Sequence, residues 1–407
     1  NVSPVYANWA KIGQTGSLLA GQGFTLKGSA AGTATQNYTF VGKPNSGAIS
    51  SPIAANNSNL SGNPYPSALD ANAFINDNLT STTGTLYFWE HYSTNSSHIL
   101  VQYQGGYATR NLVGGTAPVA PSGISTSGSS SRVPGRYIPV GQGFFVNGSA
   151  TGGTISFNNG QRAFIKENDA VNSNPLFRQT AATSIVDNQF NNKQDAVPSE
   201  TEFTKIRLGF DSANNFHRQL LLGFMDDKAT SGIDTGYDAT LLDIQSNDMY
   251  FLNTNAKLVI QGDSYFNTAS VFPLGVKTAT EGKVKFTLDA IEKLDENQNV
   301  YIFDNVTNEY HDIRNQAFEV NLPAGTISDR FSLRFKNTSA LGVDNFGDSQ
   351  TVAVVFTNSN NSINIKNDVL DRTVKTVTLY NILGQSIRTW DVKNENQTKI
   401  EIPVTNI

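Results

Sequence analysis

Apolar residues in this chain recur at every second position, in short runs cut by Gly, Asn, Ser and Pro. Alternation over four to eight residues marks half-buried strands. Strands are predicted at 205–210, 218–224, 249–252, 258–260, 284–288, 300–303, 317–322 and 331–335, with clear alternation in several of them. Near the end, 376–380 puts Val377 and Leu379 on one face, and Asn381-Ile-Leu-Gly384 interrupts the run with turn residues. Strands are predicted again at 386–392 and 398–404, the latter with Ile400, Ile402 and Val404 on one side. Helical periodicity is scarce. The segment 68–78 is predicted as a helix with Ser67 as N-cap and Leu69, Ala73 and Phe74 on one face. Residues 289–294 are predicted as a turn or short helix. The expected fold class is all-β: tandem β-sandwich or jelly-roll-like domains followed by a shorter Ig-like one.

The expected boundaries follow composition. A β-rich domain at 1–190 precedes a polar linker at 191–203, which contains Pro198. A jelly-roll-like sandwich is expected at 204–336, a short linker at 337–347 and a last domain at 348–407. Within the first domain, Gly21-Gln-Gly-Phe24 and Gly141-Gln-Gly-Phe144 echo each other. Each leads into a similar segment, Leu26-Lys-Gly-Ser-Ala30 or Val146-Asn-Gly-Ser-Ala150, and then an aromatic strand, 37–40 or 154–157. Two readings are open: a structural corner used twice, where Gly permits positive φ and Phe fills the core, or a ligand loop. Neither copy is a phosphate loop, because no Lys-Ser/Thr follows and no helix opens there.

Charge narrows the partners. Lys plus Arg total 29 against 34 Asp plus Glu, a net charge of -5, so no nucleic acid is expected. Cys is absent, which excludes disulfides and thiolate chemistry. No apolar run has the length of a membrane helix. Asn1-Val-Ser-Pro has neither a basic start nor an apolar stretch, so the sequence is expected to continue upstream.

Candidate chemistry is sparse. His91, His98, His217 and His311 do not stand at metal-ligand spacing, and there is no Gly-x-Ser-x-Gly elbow. The chain is therefore expected not to be an enzyme. Asp226, Asp227, Asp234 and Asp238 form the best acidic cluster, which reads either as a Ca2+ loop or as a solvated, turn-capping set. Trp89, Tyr92, Tyr103 and Tyr107 form an aromatic group. Alternation puts Phe88 and Glu90 on one face and Tyr87, Trp89 and His91 on the other. The group is either core or a platform for surface glycans.

Two stretches carry a family resemblance. Leu379-Tyr-Asn-Ile-Leu-Gly-Gln385, within LYNILGQSIRTW, and the later TKIEIPVTNI resemble the type A C-terminal sorting domain of Bacteroidetes type IX secretion cargo. Family members usually continue with a Gly-x-Tyr strand and a basic final strand, so the domain is expected to be partial here. Upstream, GQGFTLKG, GKPNSG, GNPYPSALDANAFI, LYFWEHY, YQGGYATRN and GQGFFV resemble, in order, a domain that recurs near the C-termini of large flavobacterial surface proteins. LVIQG…FPLGV, VYIFDN and DRFSLRF resemble the module that usually precedes the sorting domain. The resemblance implies an address: export across the outer membrane to the cell surface or medium. Its partners would be the translocon and shuttle or attachment proteins, with Leu379, Tyr380, Asn381, Gly384 and Gln385 as the sorting motif. It implies no activity: the expected protein is adhesin-like or, alternatively, a carbohydrate-binding accessory region of a secreted polysaccharide hydrolase. Asp211-Ser-Ala213 fits the O-glycosylation motif of such exported proteins, at Ser212, in an expected hairpin loop.

Overall fold

The structure, a computed structural model, describes residues 11–12, 16–26, 39–92, 99, 101–121, 124–125, 130, 132–165, 202–214, 216–242, 244–338, 352–357, 361–367, 373–381, 383–393 and 398–404. It is all-β, with a single α-helix among the described residues. Asn1–Asn337 form one compact unit and Thr338–Ile407 a second.

The first half of the larger unit holds β1 (Ile49–Ile53), β2 (Ser58–Gly62), β3 (Ala68–Asp70), α1 (Ala71–Asn78), β4 (Thr82–His91), β5 (Gly105–Arg110), β6 (Gly115–Val119), β7 (Tyr137–Ile138), β8 (Gly143–Gly148), β9 (Gly153–Phe157) and β10 (Arg162–Ala163). Its main sheet runs β2-β8-β4-β5-β6, flanked by the pair β1-β9 and the trio β10-β3-β7. The helix starts three residues later than expected. Residues 68–70 are drawn into β3, where Leu69 pairs with Ile138 on one side and Arg162 on the other. Asp70, not Ser67, is the N-cap: its carboxylate accepts the amide N–H groups of Asn72 (3.0 Å) and Ala73 (3.4 Å). The helix buries Phe74 against Phe144 and Phe157, at ring-centroid distances of 5.4 and 5.0 Å.

The repeated Gly-Gln-Gly is a corner used twice. Gly21 and Gly141 take φ of +84° and +73°, where L side chains are strained. The next residue closes the same turn each time: Gln22 N–H donates to Leu19 C=O (3.0 Å) and Gln142 N–H to Pro139 C=O (3.2 Å). The two corners grip opposite edges of β2. Gly23 N–H donates to Leu60 C=O (2.9 Å) on one edge, while Ser61 and Gly62 pair with Phe144 and Gly143 on the other. The copies diverge in burial: Phe144 is core, whereas Phe24 is half exposed. The remainder of the first copy, 27–38, lies outside the described residues.

The second half contains β11 (Thr204–Asp211), β12 (His217–Phe224), β13 (Ala239–Thr240), β14 (Asp248–Asn253), β15 (Ala256–Asp263), β16 (Val271–Thr278), β17 (Gly282–Glu292), β18 (Tyr301–Asp304), β19 (Glu309–Asp312), β20 (Phe318–Leu322) and β21 (Gly325–Arg334). They form one sheet in the order β19-β18-β21-β16-β14-β15-β12-β11-β17-β20, with β13 on β15. All pairs are antiparallel except β12-β15. Residues 289–292, expected to turn, complete β17 past a bulge opposite Arg207 and Leu208. The interior is aromatic: Phe224 meets Phe266, Phe272 and Phe335, and Phe286 meets Phe210 and Phe331. One ion pair is fully buried there, Arg218 on both oxygens of Asp248 at 2.6 and 2.9 Å.

The two halves are interlocked through the residues that follow; most of the expected linkers, 191–203 and 337–347, lies outside the described residues. The turn after β5 is shaped by Asn111, whose side-chain oxygen accepts Val113 N–H (2.9 Å). That turn drives Val113 into the core of the second half, beside Gly223, where any Cβ would collide with its Cγ1. Gly84 (φ +71°) and Gly236 (φ +85°) meet back to back: a methyl on Gly84 would stand 2.5 Å from Gly236 Cα. Leu112 N–H donates to Gly236 C=O (2.9 Å), and Arg207 Nη1 to Gly115 C=O (2.6 Å).

The smaller unit comprises β22 (Val352–Thr357), β23 (Ser362–Asn367), β24 (Thr376–Tyr380), β25 (Ser386–Asp391) and β26 (Lys399–Pro403). One sheet runs β22-β23-β26, and β24-β25 is a separate hairpin. Ile363, Ile365, Val392, Ile400 and Ile402 form its core, with Val377 and Trp390 packed against them.

Candidate functional site

The seam between the interlocked halves leaves a cleft of about 330 Å3. One wall comes from the start of α1, where Asn72 and Asn76 lie four residues apart on one helix face, and from Arg110 and Arg136. The facing wall comes from the start of β11 and the residues after β12: Phe203, Lys205, Lys228 and Tyr237. Arg110 and Lys205 are almost fully buried, at 2% and 5% exposure. Arg110 donates to Pro134 C=O (2.9 Å) and Asn72 Oδ1 (3.1 Å). Arg136 is held bidentately by Asp70, at 2.9 and 2.7 Å. Glu292 lies between two cations, 3.8 Å from Lys205 Nζ and 3.6 Å from Arg207 Nε. Glu202 is the carboxylate in the cleft wall. Sequence reasoning missed this site, because its cations are scattered from 110 to 228 with no spacing to mark them.

The aromatic group splits. Phe88 points into the core and Trp89 to the opposite face, as alternation predicts. Trp89 is only partly buried. It stacks on Tyr103 (5.7 Å, 18°), donates its indole N–H to Tyr103 Oη (3.1 Å) and meets Tyr107 edge-on (4.7 Å). Gly105 lets the indole lie flat, since a Cβ there would be 2.7 Å from the ring. The rings thus pack on each other across the outer face of the sheet. Tyr92 is apart from them, buried, with its hydroxyl donating to Pro118 C=O (3.2 Å).

The acidic loop uses its carboxylates internally. Asp234 Oδ2 accepts from Thr230 N–H (2.7 Å) and Thr230 Oγ1 (2.8 Å). Asp238 accepts Asp234 N–H (2.7 Å) and Gly262 N–H (3.0 Å), and burial pushes its carboxyl up to about 7. Asp226 and Asp227 lie on a separate 3-10 turn. Among the described residues no three His, Asp or Glu side chains are gathered as a metal set.

Ser212 is buried, at 6% exposure, and its Oγ accepts Asn214 N–H (3.3 Å) and Phe216 N–H (3.2 Å). The expected accessible loop residue instead ties the hairpin together. Beside it, His217 bridges Asp211 (Nδ1, 2.7 Å) and Asp289 (Nε2, 3.1 Å). The Asp289 hydrogen bond, reinforced by Asp211, raises the imidazole to about 9. A ring that donates from both nitrogens has no lone pair for a base or a metal, so this cluster is a clasp across β11, β12 and β17. His91 packs on Tyr103, His311 stacks on Phe318, and His98 lies outside the described residues.

In the smaller unit, Asn381 organises the β24-β25 turn. Its Oδ1 accepts Leu383 N–H (2.9 Å) and Gln385 N–H (3.0 Å), and its Nδ2 donates to Gln385 Oε1 (2.9 Å). Gly384 takes φ +78°. Leu379 is half buried, while Tyr380 (58%) and Leu383 (79%) project outward.

These features define an all-β protein with an interlocked two-part body and a separate small unit. Residues 2–335 match the family described as a domain of unknown function (DUF8693), and the chain belongs to that family. The match spans both halves of the body. No curated protein and no solved structure matches the chain.

Proposed function

We propose that this chain is an adhesin-like cargo of the type IX secretion system of a Bacteroidetes cell, exported across the outer membrane to the surface or medium. Residues 348–407 act as the address read by the translocon and its shuttle or attachment proteins. The observation that supports this most is the turn at 381–385. Asn381, Gly384 and Gln385 spend their polar groups and backbone on the turn itself, so that apolar Tyr380 and Leu383 stay exposed on a small unit of its own. Exposed apolar side chains on a rigid turn suit recognition by a partner. Removing residues 338–407 should leave the body inside the cell envelope, measured by immunoblot of cell and medium fractions. Unchanged secretion of the shortened chain sinks the reading.

A further inference from the structure

In the second half of the body, a groove of about 580 Å3 opens between the loop at 264–270 and Ser231. The loop joins β15 to β16 and crosses the end of β14, which lies between them in the sheet. Phe266 sets its shape. Its ring packs on Phe224 (5.0 Å) and Phe335 (5.1 Å), so the middle of the loop is tethered to the core. The residue before it is thrown outward, and Tyr265 is 62% exposed. Asn267 stiffens the next turn: its Oδ1 accepts Ala269 N–H (2.8 Å) and its C=O accepts Ser270 N–H (3.0 Å). Across the groove, Ser231 C=O accepts from Asn253 Nδ2 (3.0 Å), which ties that wall to β14. Walls held in this way leave little freedom to lose on binding.

The lining is rich in hydroxyls, from Ser231, Ser264, Tyr265, Thr268 and Ser270. Each of these groups can both donate and accept. Asp263 supplies a carboxylate that is almost fully buried. Its Oδ1 accepts Ser264 N–H (2.8 Å), and burial, with Asp234 nearby, raises its carboxyl. Among the described residues no Lys or Arg lines the groove, so an anion has no cation to meet there. These groups suit a neutral molecule with many hydroxyls and one apolar face. A pyranose ring has both, since its C–H groups can lie on an aromatic ring while its hydroxyls point to the rim. A volume of about 580 Å3 lies within the range of ligand clefts. We propose that this groove binds a short neutral oligosaccharide, with one pyranose stacked on Tyr265 and its hydroxyls bonded to Ser264, Thr268, Ser270 and Asp263. The site uses none of the elements that carry Trp89, and it stands apart from export, because binding is measured on purified protein.

The test is calorimetric titration of the intact chain with maltotetraose, cellotetraose, mannotetraose and galactotetraose, alongside a cationic glucosamine tetramer and an anionic galacturonic acid tetramer. At least one neutral tetramer should bind, and both charged ones should bind at least about tenfold more weakly. Tyr265→Ala should weaken the neutral tetramer at least about tenfold, and Tyr265→Phe, which keeps the ring, less than about threefold, while the melting temperature holds in both. Absence of heat with every neutral tetramer overturns the proposal. So does a charged tetramer that binds as tightly as the neutral one, affinity that survives Tyr265→Ala, or a loss in Tyr265→Phe as large as in Tyr265→Ala.

Discussion

At the scale of single residues, two shifted titrations set a direction for stability. His217 is raised from 6.5 to about 9 by its bonds to Asp289 and Asp211. Its contribution is complete below the unfolded value and fades as pH climbs through about 9. Asp238 is raised from 3.8 to about 7, chiefly by burial. The fold favours its protonated form, so this contribution is present at low pH and fades as pH rises through about 7. Both slopes have the same sign. Melting temperature should therefore decline from pH 5 to 9.5. His217→Asn should flatten the part above pH 6.5, and Asp238→Asn the part below 7. A decline untouched in both variants contradicts these assignments. Little of this was legible beforehand. The acidic cluster was visible, but which carboxylate would cap an amide depends on Gly262, a strand away. Arg218 and Asp248 are thirty positions apart and meet only because the strands between them fold back.

At the scale of elements, alternation carried most of the fold. The eight strands expected in the second half all form, and so do the three of the smaller unit. The strand β16 escaped because Pro273 and Gly275 break its pattern, and Gly275 is required under the Tyr250 ring. The shift in α1 has a different cause: three residues with helical periodicity gain more as a strand between two partners. The docking of the halves was invisible, since it rests on glycines whose role appears only on contact. Gly84→Ala would force positive φ on a side chain and press a methyl on Gly236. We expect a loss of roughly 2–4 kcal/mol from the strained backbone and the overpacked seam, read as a lower urea midpoint. An unchanged midpoint would mean the seam is looser than described.

At the scale of the whole molecule, the chain divides into a larger body and a small unit, for which an address role is proposed. The candidate motif at 379–385 was legible because it is contiguous, whereas the seam cleft draws on residues scattered along the chain. The family match ends at residue 335, two residues before the body does, and treats as one what composition had divided at 191–203. Val113 explains that unity: a residue of the first half completes the core of the second. The proposed address is tested most directly by transplanting it. A periplasmic reporter protein fused to residues 338–407 should reach the surface or medium of a cell with a working type IX translocon, and stay in the periplasm when the translocon is disabled. A reporter that remains periplasmic in both strains, or escapes equally from both, contradicts the account.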